Sequence, residues 1–183
     1  LLERAGCFDV KGKEVSISCL PIVETVEGDL TGYLQTNLMS MTDGHLFFDI
    51  NLYQNGIRPA INTALSVTRV GKQTMSPLLR AVERKVLDQL QRAEELSRFA
   101  RFGAELAEEA RATLVLVARV RAVMQQSTIL TIGLGEQLYQ LVCAWQGWKT
   151  KDDKERTFAT EELLKLGNWE ELVAKVEKWG GAL

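Results

Sequence analysis

The sequence predicts an α/β region followed by an all-α region, with the change at Ser76-Pro77. Two patterns carry that reading. Before Ser76, apolar and polar residues alternate in short runs broken by turn residues, as half-buried strands require. After Pro77, apolar residues recur every three or four positions, as on one face of a helix. Ser76 is a capping residue, and Pro77 suits a first helical turn because its missing N–H would have no intrahelical partner there.

In the first region, Val15, Ile17 and Cys19 alternate with Glu14, Ser16 and Ser18, which predicts a strand ended by Pro21. The aromatic-rich run from His45 to Ile50 fits a buried strand. Leu65 and Val67 alternate with Ser66 and Thr68, a third strand that closes at Val70-Gly71. Loops and a short helix between them are compatible with the last strands of an α/β sheet. In the second region, Val82, Val86, Leu90 and Ala93 share a helix face, while Arg84, Asp88, Arg92 and Glu95 lie on others. Gly103 is expected to end that helix. A second helix, about 104–125, carries Leu106, Ala110, Leu114, Val117 and Val120, and a third covers 134–148. Residues 149–156 read as a charged linker, and 161–178 as one or two short helices. The domain division expected is therefore 1–76 and 77–183.

The 183 residues, 46% hydrophobic and 25% charged, have ordinary globular composition. A chain of this length buries roughly 70% of its unfolded surface, enough for one sizeable core or two small ones. The net charge of -2 leaves no basic excess to neutralise a phosphate backbone, so nucleic acid is not expected as a partner. No apolar run approaches the ~20 residues that span a bilayer, so no direct membrane insertion is expected. Cys7, Cys19 and Cys143 are an odd number at wide spacing, which reads as free thiols in a reducing compartment. The single histidine, His45, cannot build a multi-histidine metal site, and a structural role is expected for it. The opening Leu1-Leu2-Glu3-Arg4-Ala5-Gly6 resembles a helix tail closed by glycine, with no initiator Met and no leader signature. A preceding segment is expected, whether removed, separately encoded or simply not included in this sequence.

The chemistry that the sequence lacks is decisive. There is no G-x-x-x-x-G-K-S/T, hence no backbone nest and lysine for nucleotide phosphates. Gly133-Leu134-Gly135 follows no strand and reads as a loop. One histidine and scattered thiols cannot assemble a nucleophilic triad. The pairs Glu94-Glu95, Glu108-Glu109 and Glu161-Glu162 read as solvated helix faces. Alone, the chain is not expected to be an enzyme. One stretch departs from a plain scaffold: Gly56-Ile57-Arg58-Pro59-Ala60-Ile61-Asn62, followed by Leu65-Ser66-Val67-Thr68-Arg69-Val70-Gly71. Asn55-Gly56 suits a hairpin turn, but Pro59 would spoil the second strand, so a rigid loop carrying Arg58 is the alternative. That loop leads to a strand ending in Arg69. An always-charged planar donor at a strand end is what a phosphate-facing arginine needs, although a surface ion pair is the commoner use of such a residue.

These residues resemble the GIRPAIN…LSVSRVG signature of F-type ATP synthase α subunits. Leu20-Pro21-Ile22-Val23-Glu24-Thr25 with Gly28-Asp29 is similar to the family's LP-I/V-I/V-ET…GD stretch. Thr36-Asn37-Leu38-Met39-Ser40-Met41-Thr42-Asp43-Gly44 is similar to TN-VISITDG, and Phe99-Ala100-Arg101-Phe102-Gly103 to FAQFG. The resemblance is collinear from Leu1 to about Trp148, with a divergent tail from Lys149. The catalytic β subunits carry a GIYPAVDP-type sequence where this chain has Arg58, which points to the non-catalytic α subunit.

The resemblance implies the end of a RecA-like nucleotide-binding sheet followed by a C-terminal helical bundle domain. It implies that Arg69 reaches the γ-phosphate on a neighbouring β subunit, with Ser40 and Gly44 close to the same interface. Arg58 and Pro59 would flank the base in a non-catalytic site, helped by Gln126. Thr128 stands where the family often has a second glutamine. ATP or ADP is the implied ligand, with Mg held mainly by residues outside this chain. The implied partners are the N-terminal part of the same subunit, the β subunits, and the γ subunit of the central stalk through the Gly28-Asp29 loop. The implied setting is ATP synthesis coupled to proton transport, expected at the matrix face of the mitochondrial inner membrane, with the cytoplasmic face of a bacterial membrane as the alternative. The rivals are a helical interaction module, motivated by Trp145, Trp148, Trp169 and Trp179, and a related motor such as an export ATPase or a vacuolar-type B subunit.

Overall fold

After a 3₁₀ turn at Leu2–Arg4, Asp9 and Gly12 close the first hairpin turn. Lys11 and Gly12 both take positive φ, 56° and 79°, the mirror-image turn whose twist matches paired strands. The Gly12 amide donates to Asp9 Oδ1 at 2.7 Å. The turn joins Gly6–Val10 (β1) and Lys13–Ile17 (β2) into an antiparallel hairpin, with Phe8 opposite Val15 and Gly6 opposite Ile17. Pairing stops at Ile17, two residues short of the expected Cys19.

The structure is a computed structural model and describes residues 2–26, 28–101, 107–127, 129–151 and 160–181. The chain forms two compact units, 1–56 with 60–71, and 57–59 with 72–183.

In the first unit, Tyr33–Met41 forms α1, Gly44–His45 forms β3, and Ile50–Gln54 forms α2. Val67–Thr68 (β4) pairs antiparallel with β3, and Phe48 bridges Ile61. All described pairings are antiparallel, in two small sheets among helices, which is compatible with the expected α/β region. Antiparallel strands close through a short turn or local loop, whereas a parallel neighbour needs a long crossover. The buried strand expected from His45 to Ile50 is not formed. Phe47 is buried, but Leu46, Phe48 and Ile50 are more than half exposed. Asp49 breaks the extended run, because its carboxylate accepts the Asn51 amide at 2.8 Å and starts α2.

Gly71–Thr74 forms the short helix α3. In the second unit, Pro77–Arg101 forms α4, with Ser76 as its cap: Ser76 Oγ accepts the Leu79 amide. Leu78, Val82 and Ala93 are buried along one face, as the periodicity requires. Glu108–Met124 forms α5 and buries Val117 and Val120. Gly103, Leu106 and Thr128 lie outside the described residues. Leu134–Gln146 (α6) contributes Leu138, Tyr139, Val142 and Cys143 to the core. It ends two residues before the expected Trp148. Gly147 takes φ 77°, and the Trp148 amide returns to the Cys143 carbonyl at 2.8 Å, closing the helix. Gly135 is not in a loop. It sits in the first turn of α6, and a Cβ there would lie 2.4 Å from the Thr160 carbonyl oxygen. Hydrogen in place of a side chain lets the 3₁₀ turn Thr160–Lys165 lie directly on the helix. After that turn, Trp169–Val176 (α7) starts at an Asn168 cap, and both pieces pack on α6. Leu163, Leu172 and Val176 are completely buried, so the tail completes this core.

Candidate functional site

Arg69 follows β4 directly, and its position is fixed through its backbone first. Its amide donates to the Asp43 carbonyl at 2.7 Å, next to the Gly44–Thr68 pair. Gly44 makes that approach possible: a Cβ there would stand 2.5 Å from the Val67 carbonyl oxygen and 3.0 Å from Thr68 Cα. The guanidinium then lies at the end of α1, with Nη1 donating to the Ser40 carbonyl at 3.1 Å and Nη2 to the Met39 carbonyl at 3.2 Å. Arg69, Ser40 and Gly44, separated by up to 29 positions, thus come together, with Arg69 and Ser40 exposed and Gly44 half-buried between the strands. The Ser40 hydroxyl donates to the Asn37 carbonyl at 2.7 Å, so what Ser40 gives to Arg69 is its backbone oxygen. Past the arginine, the Gly71 amide donates to Thr68 Oγ1 and turns the chain away.

The connecting loop is held by residues to which the sequence reading assigned no role. Asn62 accepts the Ala64 and Leu65 amides on its side-chain oxygen and donates from Nδ2 to Asp49 Oδ2 at 3.1 Å. Ser66 Oγ donates to the Asn62 carbonyl at 2.6 Å and accepts the Phe47 amide at 3.0 Å. The Asn62 side chain, and then the Asn51 amide, hold the Asp49 carboxyl below its ordinary value of 3.8. His45 Nε2 donates to the Leu65 carbonyl at 3.0 Å, which ties the single histidine to the same loop. Small polar residues before β4 were the available signal, since their side chains commonly bond nearby backbone.

Arg58, Pro59 and Gln126 meet in the second unit. The Gln126 amide donates to the Arg58 carbonyl at 2.9 Å, bringing the 57–59 segment to the end of α5. Arg58 Nη1 donates to the Ile57 carbonyl at 2.8 Å. Arg58 is half-buried, and Pro59 beside it is exposed. A planar cation next to a rigid apolar ring is suited to flanking a planar ligand.

The Gly28-Asp29 loop is a tight turn. Gly28 has φ 78°, and Asp29 Oδ1 accepts the Thr31 hydroxyl at 2.7 Å and the Thr31 amide at 2.8 Å. Those two bonds lower the Asp29 carboxyl from its ordinary value. Two surface depressions of about 300 and 310 Å³ lie along α4 and include none of the candidate residues. Among the described residues no group of three His, Cys, Asp or Glu could hold a metal, and no helix is long and apolar enough to cross a membrane.

The tryptophans suggested as partner anchors are used internally. Trp169 is buried and meets Trp145 edge-on, with ring centroids 5.1 Å apart. Trp148 and Trp179 pack against the same core, and Lys85 lies over the Trp169 ring. The physical reason is size: the core formed by α4 and α6 is closed by large aromatic faces from the tail.

Comparison with known proteins agrees with these motifs. A family model described as ATP synthase alpha/beta family, nucleotide-binding domain, matches residues 1–68. The chain is similar to an ATP synthase subunit alpha of Chromohalobacter salexigens, 33% identical over 183 residues, covering 98% of this chain and 36% of that protein. A subunit alpha of Nitrosomonas europaea is 35% identical over 164 residues, 90% of this chain and 32% of that protein. One from Neorickettsia sennetsu is 35% identical over 148 residues, 81% of this chain and 29% of that protein. The chain spans about a third of the length of the curated relatives it matches. These relatives are bacterial, and they give no support to the expected mitochondrial placement.

Proposed function

The chain belongs to the ATP synthase alpha/beta family, and we propose that it is the C-terminal part of a non-catalytic F-type α subunit that lends Arg69 to a nucleotide held by a neighbouring β subunit. The observation that carries this reading is the convergence of Arg69, Ser40 and Gly44. Three of the five N–H groups of Arg69 have no acceptor among the described residues and are available to a phosphate.

The mechanism follows from charge. As the terminal phosphoryl group transfers, negative charge spreads over its oxygens, and a fixed guanidinium stabilises that charge more than it stabilises the bound substrate. Arginines presented in trans in this way contribute about 10³–10⁵ in rate. The sequence holds no phosphate-cradling loop, so ATP or ADP and its Mg are held mainly by residues outside this chain. Arg58, Pro59 and Gln126 form one wall of a separate, non-catalytic nucleotide site. Its RecA-like sheet is completed by the N-terminal part of the subunit, and the helices from Pro77 onward form the C-terminal domain. The Gly28-Asp29 loop faces the γ subunit. The assembled complex works peripherally on a membrane, coupling ATP synthesis to proton transport.

The test is kinetic. In the assembled complex, Arg69→Ala is expected to lower kcat by about 10³–10⁵, or about 4–7 kcal/mol, with nucleotide content nearly unchanged. Arg58→Ala should instead empty the non-catalytic site and spare most turnover. Near-normal turnover in Arg69→Ala would overturn the reading.

A further inference from the structure

Helix α1 ends at Met41 and, like any helix, leaves its last carbonyls without intrahelical partners. The Leu38 carbonyl is doubly used, accepting the Thr42 amide at 3.1 Å and the Thr42 hydroxyl at 2.8 Å. The next two carbonyls, Met39 and Ser40, accept the two arms of the Arg69 guanidinium, which comes from the residue after β4. A permanent cation therefore stands at the negative end of the helix dipole, bonded to the groups that the helix cannot satisfy itself.

We propose that Arg69 is the C-terminal cap of α1, and that this helix end, closed by Thr42, positions the guanidinium. One side chain then serves two acceptor sets. Its planar fork engages two carbonyls and keeps three N–H groups for an anion, which the compact ammonium of lysine would reproduce poorly. Thr42 is a positioning residue: its hydroxyl holds the last turn closed and so fixes where the Met39 and Ser40 carbonyls stand. The capping half of the proposal does not depend on any role of Arg69 towards phosphate. The positioning half rests on the arginine reading given above.

Hydrogen–deuterium exchange on the full-length subunit in its nucleotide-free complex tests the cap. In Arg69→Gln, amides of the last turn of α1 through Thr42 should exchange about 2- to 5-fold faster, the size of one charge–dipole interaction at an exposed helix end. Arg69→Lys should fall between that and the parent, and it serves if the glutamine variant does not assemble. Unchanged exchange overturns the cap, whatever turnover does. Faster exchange with normal turnover in Arg69→Gln would keep the cap and reject the phosphate role, so the two failures are distinguishable. For Thr42, Thr42→Val should lower kcat several-fold at unchanged KM, and Thr42→Ser should restore it. A Thr42→Val complex with normal kcat removes Thr42 from the positioning assignment.

Discussion

Gly44→Ala is a sharp test of how the fold sets the arginine. The added methyl would lie 2.5 Å from the Val67 carbonyl oxygen, 3.0 Å from Thr68 Cα and 3.4 Å from the Val67 carbonyl carbon. All three are backbone atoms, so no side chain can swing aside, and the carbonyl must retreat by about half an ångström or more. Only the residue pairs Gly44–Thr68 and His45–Val67 make up this ladder, so the shift passes directly to Arg69. Overpacking of this kind costs about 1–3 kcal/mol. A displacement approaching 1 Å at a group that meets the reacting phosphoryl costs on the order of 10²-fold in rate. The assay is steady-state turnover of the assembled complex beside its denaturant midpoint, for Gly44→Ala alone and combined with Arg69→Ala. If Gly44 acts through Arg69, its effect on turnover should vanish in the Arg69→Ala background while its effect on stability persists. Additive losses of turnover, or parent-like stability and rate in Gly44→Ala, would refute the reasoning.

Three further outcomes are expected. Gly135→Ala should destabilise the full-length protein by about 1–3 kcal/mol in denaturant melts, since its Cβ meets the backbone of Thr160 and Glu161 at 2.4–2.9 Å. Leu172→Ala should cost about 2–5 kcal/mol, against much less for the partly exposed Leu164→Ala, if the tail is core. The Asp49 carboxyl is held below 3.8 by Asn62 and Asn51, so its contribution is complete above the unfolded value and is lost as pH falls through the lower folded value. Denaturant midpoints from about pH 5 to about pH 2 should therefore fall less steeply in Asp49→Asn than in the parent.

Helices were the most legible part of the chain, because one apolar face repeats over many turns and Ser76-Pro77 marks the start of α4 plainly. Their ends were less so. Gly147 stops α6 by taking a left-handed conformation, a local choice that periodicity does not reveal. Gly135 reads as a loop residue beside Gly133, and only the approach of the Thr160 backbone explains it. The strand readings missed most where burial was assumed: Leu46, Phe48 and Ile50 look like a core run, yet Asp49 turns that run into α2. At the candidate site, Arg69, Ser40 and Gly44 were reached through motif resemblance, and the structure adds the contacts between them. The backbone-organising roles of Asn62, Ser66 and Thr42 are not legible in the sequence, because small polar residues of this kind look like ordinary loop residues until their partners are known.

The most direct measurement of the central claim is a structure of the assembled complex with a non-hydrolysable nucleotide bound at every site. Arg69 Nη or Nε is expected about 2.7–2.9 Å from a terminal phosphate oxygen of a nucleotide whose phosphate loop belongs to the neighbouring subunit, the distance of a charge-assisted bond. Met39 and Ser40 should still hold its other N–H groups. A guanidinium that reaches no phosphate in any site, or only that of a nucleotide bound by its own subunit, would contradict it.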